Sequence, residues 1–240
     1  MKQALYSFGV EDCKNQIVHG DALDFLGNIS KDSVDLLLTD IPYNGVNRKS
    51  GGLRNLDKGI ADILTIPLSK LVPEMVRVTK GSGYIFCGWE QLSEIVSIIR
   101  DLGISNRVIV WEKTNPSPMN GQSIWLSGIE LAVFFKKPNA TYNQHCKNCV
   151  VRFPSGRGKL HPTEKPLKLF EHLVEVSSNG GDVVCDPFMG SWTTAVASKN
   201  KGRNFVGTEL SEEFCKIGQE RLNLVDPFAN EKVNDEYFER

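Results

Sequence analysis

The chain has 240 residues, of which 40% are hydrophobic and 24% charged, and its formal net charge is −1. That length can bury the core of one α/β domain, and the composition is that of a soluble globular protein, not a disordered or fibrous one. No apolar run approaches the ~20 residues of a membrane-spanning helix, and Met1 to Val10 carries one lysine and no signal-peptide core, so export is not expected.

In chain order, Gln16 to His19 reads as a short strand and Ala22 to Ile29 as a helix. Val34 to Thr39 is an apolar run of the kind found in strands buried on both faces. Pro67 to Thr79 has helical spacing at Leu68, Leu71, Val72, Met75 and Val76, with Pro67 near its start and Gly81 past its end. Tyr84 to Cys87 is a predicted strand and Gln91 to Leu102 a helix. Strands follow at Val108 to Trp111 and Leu131 to Phe135, then a helix at Pro166 to Val176. Val183 to Cys185 (strand), Thr193 to Lys199 (helix), Phe205 to Thr208 (strand) and Ser211 to Leu222 (helix) complete the series. Pro138 to Leu160 lacks periodicity and reads as irregular. Strands alternating with helices predict an α/β fold with a doubly wound, mostly parallel sheet, in a single domain covering 1–240.

Charge is unevenly spread. Between Ser105 and Lys168 the cations Arg107, Lys113, Lys136, Lys137, Lys147, Arg152, Arg157, Lys159, Lys165 and Lys168 face only Glu112, Glu130 and Glu164. Arg48, Lys49, Arg54 and Lys58 form a second basic cluster, and acids gather from Glu209 onward. Such asymmetry suits a protein with one phosphate-facing side, or else a solvated basic face. Of the six cysteines, Cys87 and Cys185 lie in apolar strand-like runs, which suits a reducing cytoplasm. His145-Cys146-Lys147-Asn148-Cys149 has one zinc-like pair and no second pair. Structural zinc needs four ligands, so no metal is expected.

Three constellations carry chemistry. Thr39-Asp40-Ile41-Pro42-Tyr43-Asn44 ends the apolar strand and places a carboxylate, a backbone carbonyl and a ring beyond its carboxyl end, where open α/β sheets bind ligands. A planar base bearing an exocyclic amine needs that set: a ring to stack on and two acceptors for two N–H protons. Val183-Val184-Cys185-Asp186-Pro187-Phe188-Met189-Gly190-Ser191-Trp192-Thr193-Thr194 is a strand, a tight turn and a helix start, whose free N–H groups and positive dipole end suit a carboxylate. Glu209 ends the next strand, placed to accept from ribose hydroxyls. His161-Pro162-Thr163-Glu164-Lys165-Pro166 is a proline-stiffened helix start in which Thr163 and Lys165 could also hold a carboxylate.

Together these segments resemble the β-class amino-DNA methyltransferases. The first matches Asp-Pro-Pro-Tyr-Asn, the third His-Pro-Thr-Gln-Lys-Pro, and the second Asp-Pro-Phe-x-Gly-Ser-Gly-Thr-Thr, in the order catalytic loop, recognition region, cofactor loop. Gly20-Asp21 and Val110 to Pro116 add weaker matches, so the similarity spans Val18 to Leu222. The resemblance implies a Rossmann-like methyltransferase fold with permuted motif order and S-adenosylmethionine as cofactor. It implies double-stranded DNA as partner, with a homodimer as a candidate assembly, and a small target-recognition insertion at 115–160. A base would be flipped from the duplex, with Tyr43 stacking on it while Asp40 and the Ile41 carbonyl, set by Pro42, accept from its amine. Asp21, Asp40, Thr163, Lys165, Asp186, Phe188, Gly190, Ser191 and Glu209 would contact the cofactor. Asn44, Arg48, Lys49, Arg54, Lys113, Asn115, Arg152, Arg157 and Lys159 would face DNA. For Asp21, capping the helix at Ala22 is an equal reading. Aspartate at position 40 favours N6 of adenine over N4 of cytosine.

Two positions depart from the pattern. Ile41 replaces a proline, with a small loss of rigidity expected. Trp192 replaces a glycine, where the indole either crowds or covers the cofactor or points inward and packs. A catalytically idle DNA-binding relative is the alternative that Trp192 leaves open.

Overall fold

The structure is a computed structural model that describes residues 10–43, 64–118, 121–145, 147–156 and 165–223. Its strands are β1 (Gln16–His19), β2 (Val34–Asp40), β3 (Thr79–Cys87), β4 (Ser105–Lys113), β5 (Ile129–Lys136), β6 (Val150–Phe153), β7 (Val183–Asp186) and β8 (Asn204–Glu209). The helices are α1 (Ala22–Asn28), α2 (Leu68–Val78), α3 (Trp89–Asp101), α4 (Leu167–Ser177), α5 (Thr193–Asn200) and α6 (Glu212–Asn223). The strands form one sheet in the order β1-β8-β7-β2-β3-β5-β4-β6. Only β5 runs antiparallel to its neighbours, β3 and β4.

The apolar run of β2 has a direct physical reason. Leu37 joins a core with α1, α2 and α3 on one face, where Phe25, Leu71, Met75 and Ile95 are buried. Leu36 and Leu38 point to the other face, against Leu169, Phe170 and Val174 of α4 and Ala197 of α5. Side chains alternate across a strand, so a strand covered on both sides has no polar face to present. Each buried leucine stabilises the fold by about 1.5–3 kcal/mol. Truncating Leu37 to alanine would cost ~2–5 kcal/mol, because a close-packed core closes a cavity only in part.

The interval 115–160 differs most from expectation. It supplies β5, which inserts between β3 and β4, and β6, which pairs with β4. The interval is therefore woven into the sheet, and Asn143 ties the segment after β5 to the end of α4, its side-chain amide donating to the Glu175 and Ser178 carbonyls at 2.8 and 2.9 Å. β6 falls within the stretch read as irregular. Four residues on a sheet edge carry too little alternation to stand out.

The order of strands decides where chemistry can occur. β2 lies between β7 and β3, so its carboxyl end sits beside that of the strand leading into the Gly/Ser turn. Segments 146 residues apart, from Asp40 to Asp186, thereby share one crevice.

Candidate active site

Asp40 is the last residue of β2, and the backbone beyond it is held from two directions. The Ile41 N–H donates to the Phe86 carbonyl at 3.2 Å, and the Ile41 side chain is buried in the core. Proline has no N–H to make that bond, so isoleucine replaces ring stiffness with one more rung to β3 and an apolar anchor. The small loss of rigidity expected from the sequence is thereby offset. Gln91, buried at the start of α3, donates to the Pro42 carbonyl at 3.0 Å while its own oxygen accepts from the Gly88 N–H at 2.9 Å. One side chain thus caps a helix and pins the turn after β2.

Four charged side chains from four parts of the chain alternate through the crevice. Asp40 Oδ2 lies 2.6 Å from Lys165 Nζ, which is 3.1 Å from Glu130 Oε2, and Glu130 Oε1 is 2.8 Å from Lys113 Nζ. The Lys165 ammonium also sits 5.0 Å from the centre of the Tyr43 ring, and the Tyr43 hydroxyl lies 3.4 Å from Glu130 Oε2. Burial raises the pKa of Asp40, Lys165 opposes that rise, and Glu130 adds to it. Burial pushes Glu130 up as well, but Lys165 and Lys113 together hold it below the ordinary carboxylate value. Burial would neutralise Lys165, yet Asp40 and Glu130 raise its pKa and keep it charged. Asp40 Oδ1 is shielded from solvent and has no hydrogen-bond partner among the described residues. A shielded acceptor without a donor is costly.

The cofactor-side loop is held from below. Asp186 Oδ1 accepts from Thr39 Oγ1 at 2.6 Å and from the Phe188 N–H at 3.0 Å, and Oδ2 accepts from Thr194 Oγ1 at 2.6 Å. These bonds join β2, the loop and α5, and they turn the Asp186 carboxylate into the fold. Its pKa is pushed up to about 7 by burial, against the pull of those donors. Gly190 has φ +52°, a region glycine occupies freely, and the direction its Cβ would take is open space. Its N–H donates to Glu209 Oε2 at 2.7 Å, and the Ser211 N–H donates to Glu209 Oε1 at 2.8 Å. Ser191 is buried and accepts from Arg221 of α6, at 2.9 Å on its hydroxyl. Asp21 caps α1, its Oδ1 accepting from the N–H groups of Leu23 (2.8 Å) and Asp24 (3.1 Å).

Trp192 points inward. It adopts φ 65°, ψ 29° at the N-terminus of α5, and only 4% of it is exposed. Its indole packs with Met189, Ala195 and Phe205, and against Gly218 of α6, where a Cβ would lie 2.1 Å from the ring. The bare backbone of Gly218 is what makes room for the indole, so the ring leaves the space above Gly190 clear.

Several expected contacts lie elsewhere. Lys113, expected to face DNA, is paired with Glu130 at 2.8 Å and stands 5.4 Å from the Trp111 ring. Asn115 exchanges two hydrogen bonds with the Ser155 backbone, at 2.6 and 3.2 Å, and ties the loop after β4 to the end of β6. Arg152 is exposed and pairs with Glu112 at 3.0 Å. Lys137 and Lys168 pair with Asp32 and Glu171, so part of the basic interval is neutralised locally. Asn44, Arg48, Lys49, Arg54, Arg157, Lys159 and Thr163 lie outside the described residues, as does Cys146 of the thiol pair. Glu130, Gln91, Thr39, Thr194 and Arg221 were not singled out from sequence. Glu130 had a signal, as one of few acids in a cation-rich interval at the start of an apolar run. Among the described residues, no helix is long and apolar enough to cross a membrane.

A family profile described as DNA methylase, of the N6/N4 type, matches residues 34–220. The chain belongs to this DNA methylase family. The methylase is 31% identical to the DNA adenine methyltransferase YhdJ of Escherichia coli (strain K12), over 90% of this chain and 85% of that one. It is 28% identical to the Type II methyltransferase M2.DpnII of Streptococcus pneumoniae, over 86% and 88% of the two chains. Its fold superposes on the crystal structure of the M1.HpyAVI–SAM complex with a TM-score of 0.67 and 30% identity, covering 87% of the methylase and 99% of that chain.

Proposed function

We propose that the methylase transfers a methyl group from S-adenosylmethionine to the N6 amine of adenine in DNA, acting on a base extruded from the duplex. The observation that carries this reading is Asp40 Oδ1, a shielded acceptor without a partner among the described residues, on a carboxylate whose lysine partner also lies against the Tyr43 ring. Adenine is favoured over cytosine by that aspartate and by relatives named as adenine methyltransferases. A paired base hides its amine, so extrusion is required before transfer.

The residues present fit the cofactor. Open space lies above Gly190, the first turn of α5 offers free N–H groups, and the indole of Trp192 is turned away. Phe188, Gly190 and Ser191 would form the floor and Glu209 would take the ribose hydroxyls. Its oxygens already accept from Gly190 and Ser211, but a carboxylate offers about four acceptor sites. Asp21 would face the adenine of the cofactor and Thr163 its methionine carboxylate, while Lys165, read from sequence as a second partner of that carboxylate, is taken up by Asp40 and Glu130. Asp186 would act through the loop shape it enforces. When bound, the cofactor supplies an electrophilic sulfonium methyl.

The rest falls to the chain's own groups. Tyr43 stacks on the extruded base. Asp40 Oδ1 and the Ile41 carbonyl would accept hydrogen bonds from the two amine N–H groups and so direct the nitrogen lone pair; as the N–C bond forms the C–S bond breaks, a neutral thioether leaves, and the surplus N–H proton is lost to solvent. Their contribution is positioning and preorganised acceptors, since the sulfonium is already a good leaving group. Phosphate contacts are assigned to Arg152 and to the basic residues near 48–58 and 157–159, in a cytoplasmic setting. The test is incubation with DNA of mixed sequence and tritiated cofactor, followed by digestion to nucleosides. Label in N6-methyladenine supports the reading, and label in N4-methylcytosine or in neither contradicts it.

A further inference from the structure

The reading above gives Asp40 to the target amine, yet in the structure Asp40 already holds a cation. Lys165 Nζ is 2.6 Å from Asp40 Oδ2, and only 7% of that side chain is exposed. The contact occupies Oδ2 and leaves Oδ1 for the target amine. A buried ammonium needs its anions to stay in place, because desolvated charge without a partner is strongly unfavourable. Lys165 has a second anion within reach, Glu130 Oε2 at 3.1 Å.

Glu130 is well placed for that duty. It lies on β5, anchored by antiparallel pairing with Trp111 of β4. Its other oxygen is fixed by Lys113 Nζ at 2.8 Å, and its Oε2 also faces the Tyr43 hydroxyl at 3.4 Å. It therefore contacts the cation that covers Asp40 and the ring assigned to stack on the base. Two carboxylates and two ammonium groups balance in the resting crevice. Neutralising Glu130 would leave Asp40 as the only carboxylate of this chain of charges for Lys165 to hold.

We infer that Glu130 is a positioning residue for methyl transfer: it retains Lys165 on Asp40 Oδ2, which fixes the carboxylate with Oδ1 turned to the target amine. The inference rests on the assignment of Asp40 above. In this scheme no bond to Glu130 forms or breaks. Lys165 stays on Asp40 Oδ2 and Glu130 Oε2, and the amine N–H meets Oδ1.

Glu130→Gln keeps the shape and removes the charge, so it separates this role from simple packing. Single-turnover transfer at saturating S-adenosylmethionine is compared for wild type, Glu130→Gln, Lys165→Gln and the double variant, with thermal melts for each. The expected result is a loss of about 30-fold or more for Glu130→Gln in a folded protein, but less than about threefold when the same change is made on the Lys165→Gln background. Glu130→Asp keeps the charge with a shorter reach and should fold, losing about three- to tenfold. It serves as the deciding variant if Glu130→Gln melts without cooperativity. A Glu130→Gln rate within about twofold of wild type, the same fold-loss on both backgrounds, or a fully active Glu130→Asp would each overturn the inference. Wild type that forms no methyladenine would overturn the functional reading itself. An active wild type beside an indifferent Glu130→Gln would overturn only the role of Glu130.

Discussion

Replacing Trp192 by glycine restores the residue that the family pattern has in this turn, and the structure predicts that the restoration is destabilising. Trp192 sits in the left-handed region, which costs a non-glycine residue about 1–2 kcal/mol. Its indole N–H is buried without a partner among the described residues, a further cost of order 1 kcal/mol. Against those gains, removing a buried tryptophan from a packed site costs about 3–5 kcal/mol, and the bare Gly218 opposite offers no atoms to fill the gap. The balance is a net loss of about 0–3 kcal/mol, or up to roughly 12 °C in Tm for a chain of this length. Thermal melts and calorimetric titration with S-adenosylmethionine read the two consequences separately. The expected outcome is a lower Tm with the cofactor Kd within about threefold of wild type. A Kd shifted more than about tenfold with Tm unchanged would place the indole in the cofactor space and refute the packing argument. Gly218→Ala tests the same contact from the other side, since its Cβ meets the ring at 2.1 Å. It should lower Tm in wild type and be tolerated in the Trp192→Gly background.

Two further outcomes follow from hydrogen bonds and titration. Asp186 has a pKa of about 7 against an ordinary 3.8, so between those values the folded protein binds a proton that the unfolded chain has lost. The stability this group contributes is full below the lower value and falls as pH rises toward 7, by at most about 4 kcal/mol over three units. Asp186→Asn should flatten that slope in melts taken from pH 4.5 to 8, and an unchanged slope would contradict the assignment. Gln91→Ala removes the bond to Pro42 and the cap on Gly88, with an expected loss of ~1–2 kcal/mol in stability. Single-turnover rates should fall further than stability alone explains, and a wild-type rate in that variant would show that the catalytic turn holds its shape without Gln91.

The parts legible in the sequence are those whose signals are local. The buried run of β2, its acid-X-Pro-aromatic terminus and the turn from Asp186 to Thr194 each announce themselves within a dozen residues. Their order carried the resemblance to the methylase family. What stayed hidden depends on long-range pairing. Glu130 meets Lys165 and Tyr43 only because β5 inserts antiparallel between β3 and β4. Lys113 was assigned to DNA because charge alone does not reveal a partner, and its partner is Glu130. The direction of Trp192 was open for the same reason. It is decided by Gly218, on a helix that begins twenty residues later. Asp21 was readable in two ways, and the cap on α1 is the contact the structure shows.

The central claim is that the Asp40 carboxylate receives the target amine. Asp40→Ala removes that acceptor and leaves the cofactor loop, with its Asp186, Thr39 and Thr194 clamp, untouched. Mass spectrometry of nucleosides after a single turnover should show N6-methyladenine from wild type and a loss of about a hundredfold or more from the variant, with S-adenosylmethionine affinity retained. An Asp40→Ala protein that methylates DNA at the wild-type rate would contradict the account.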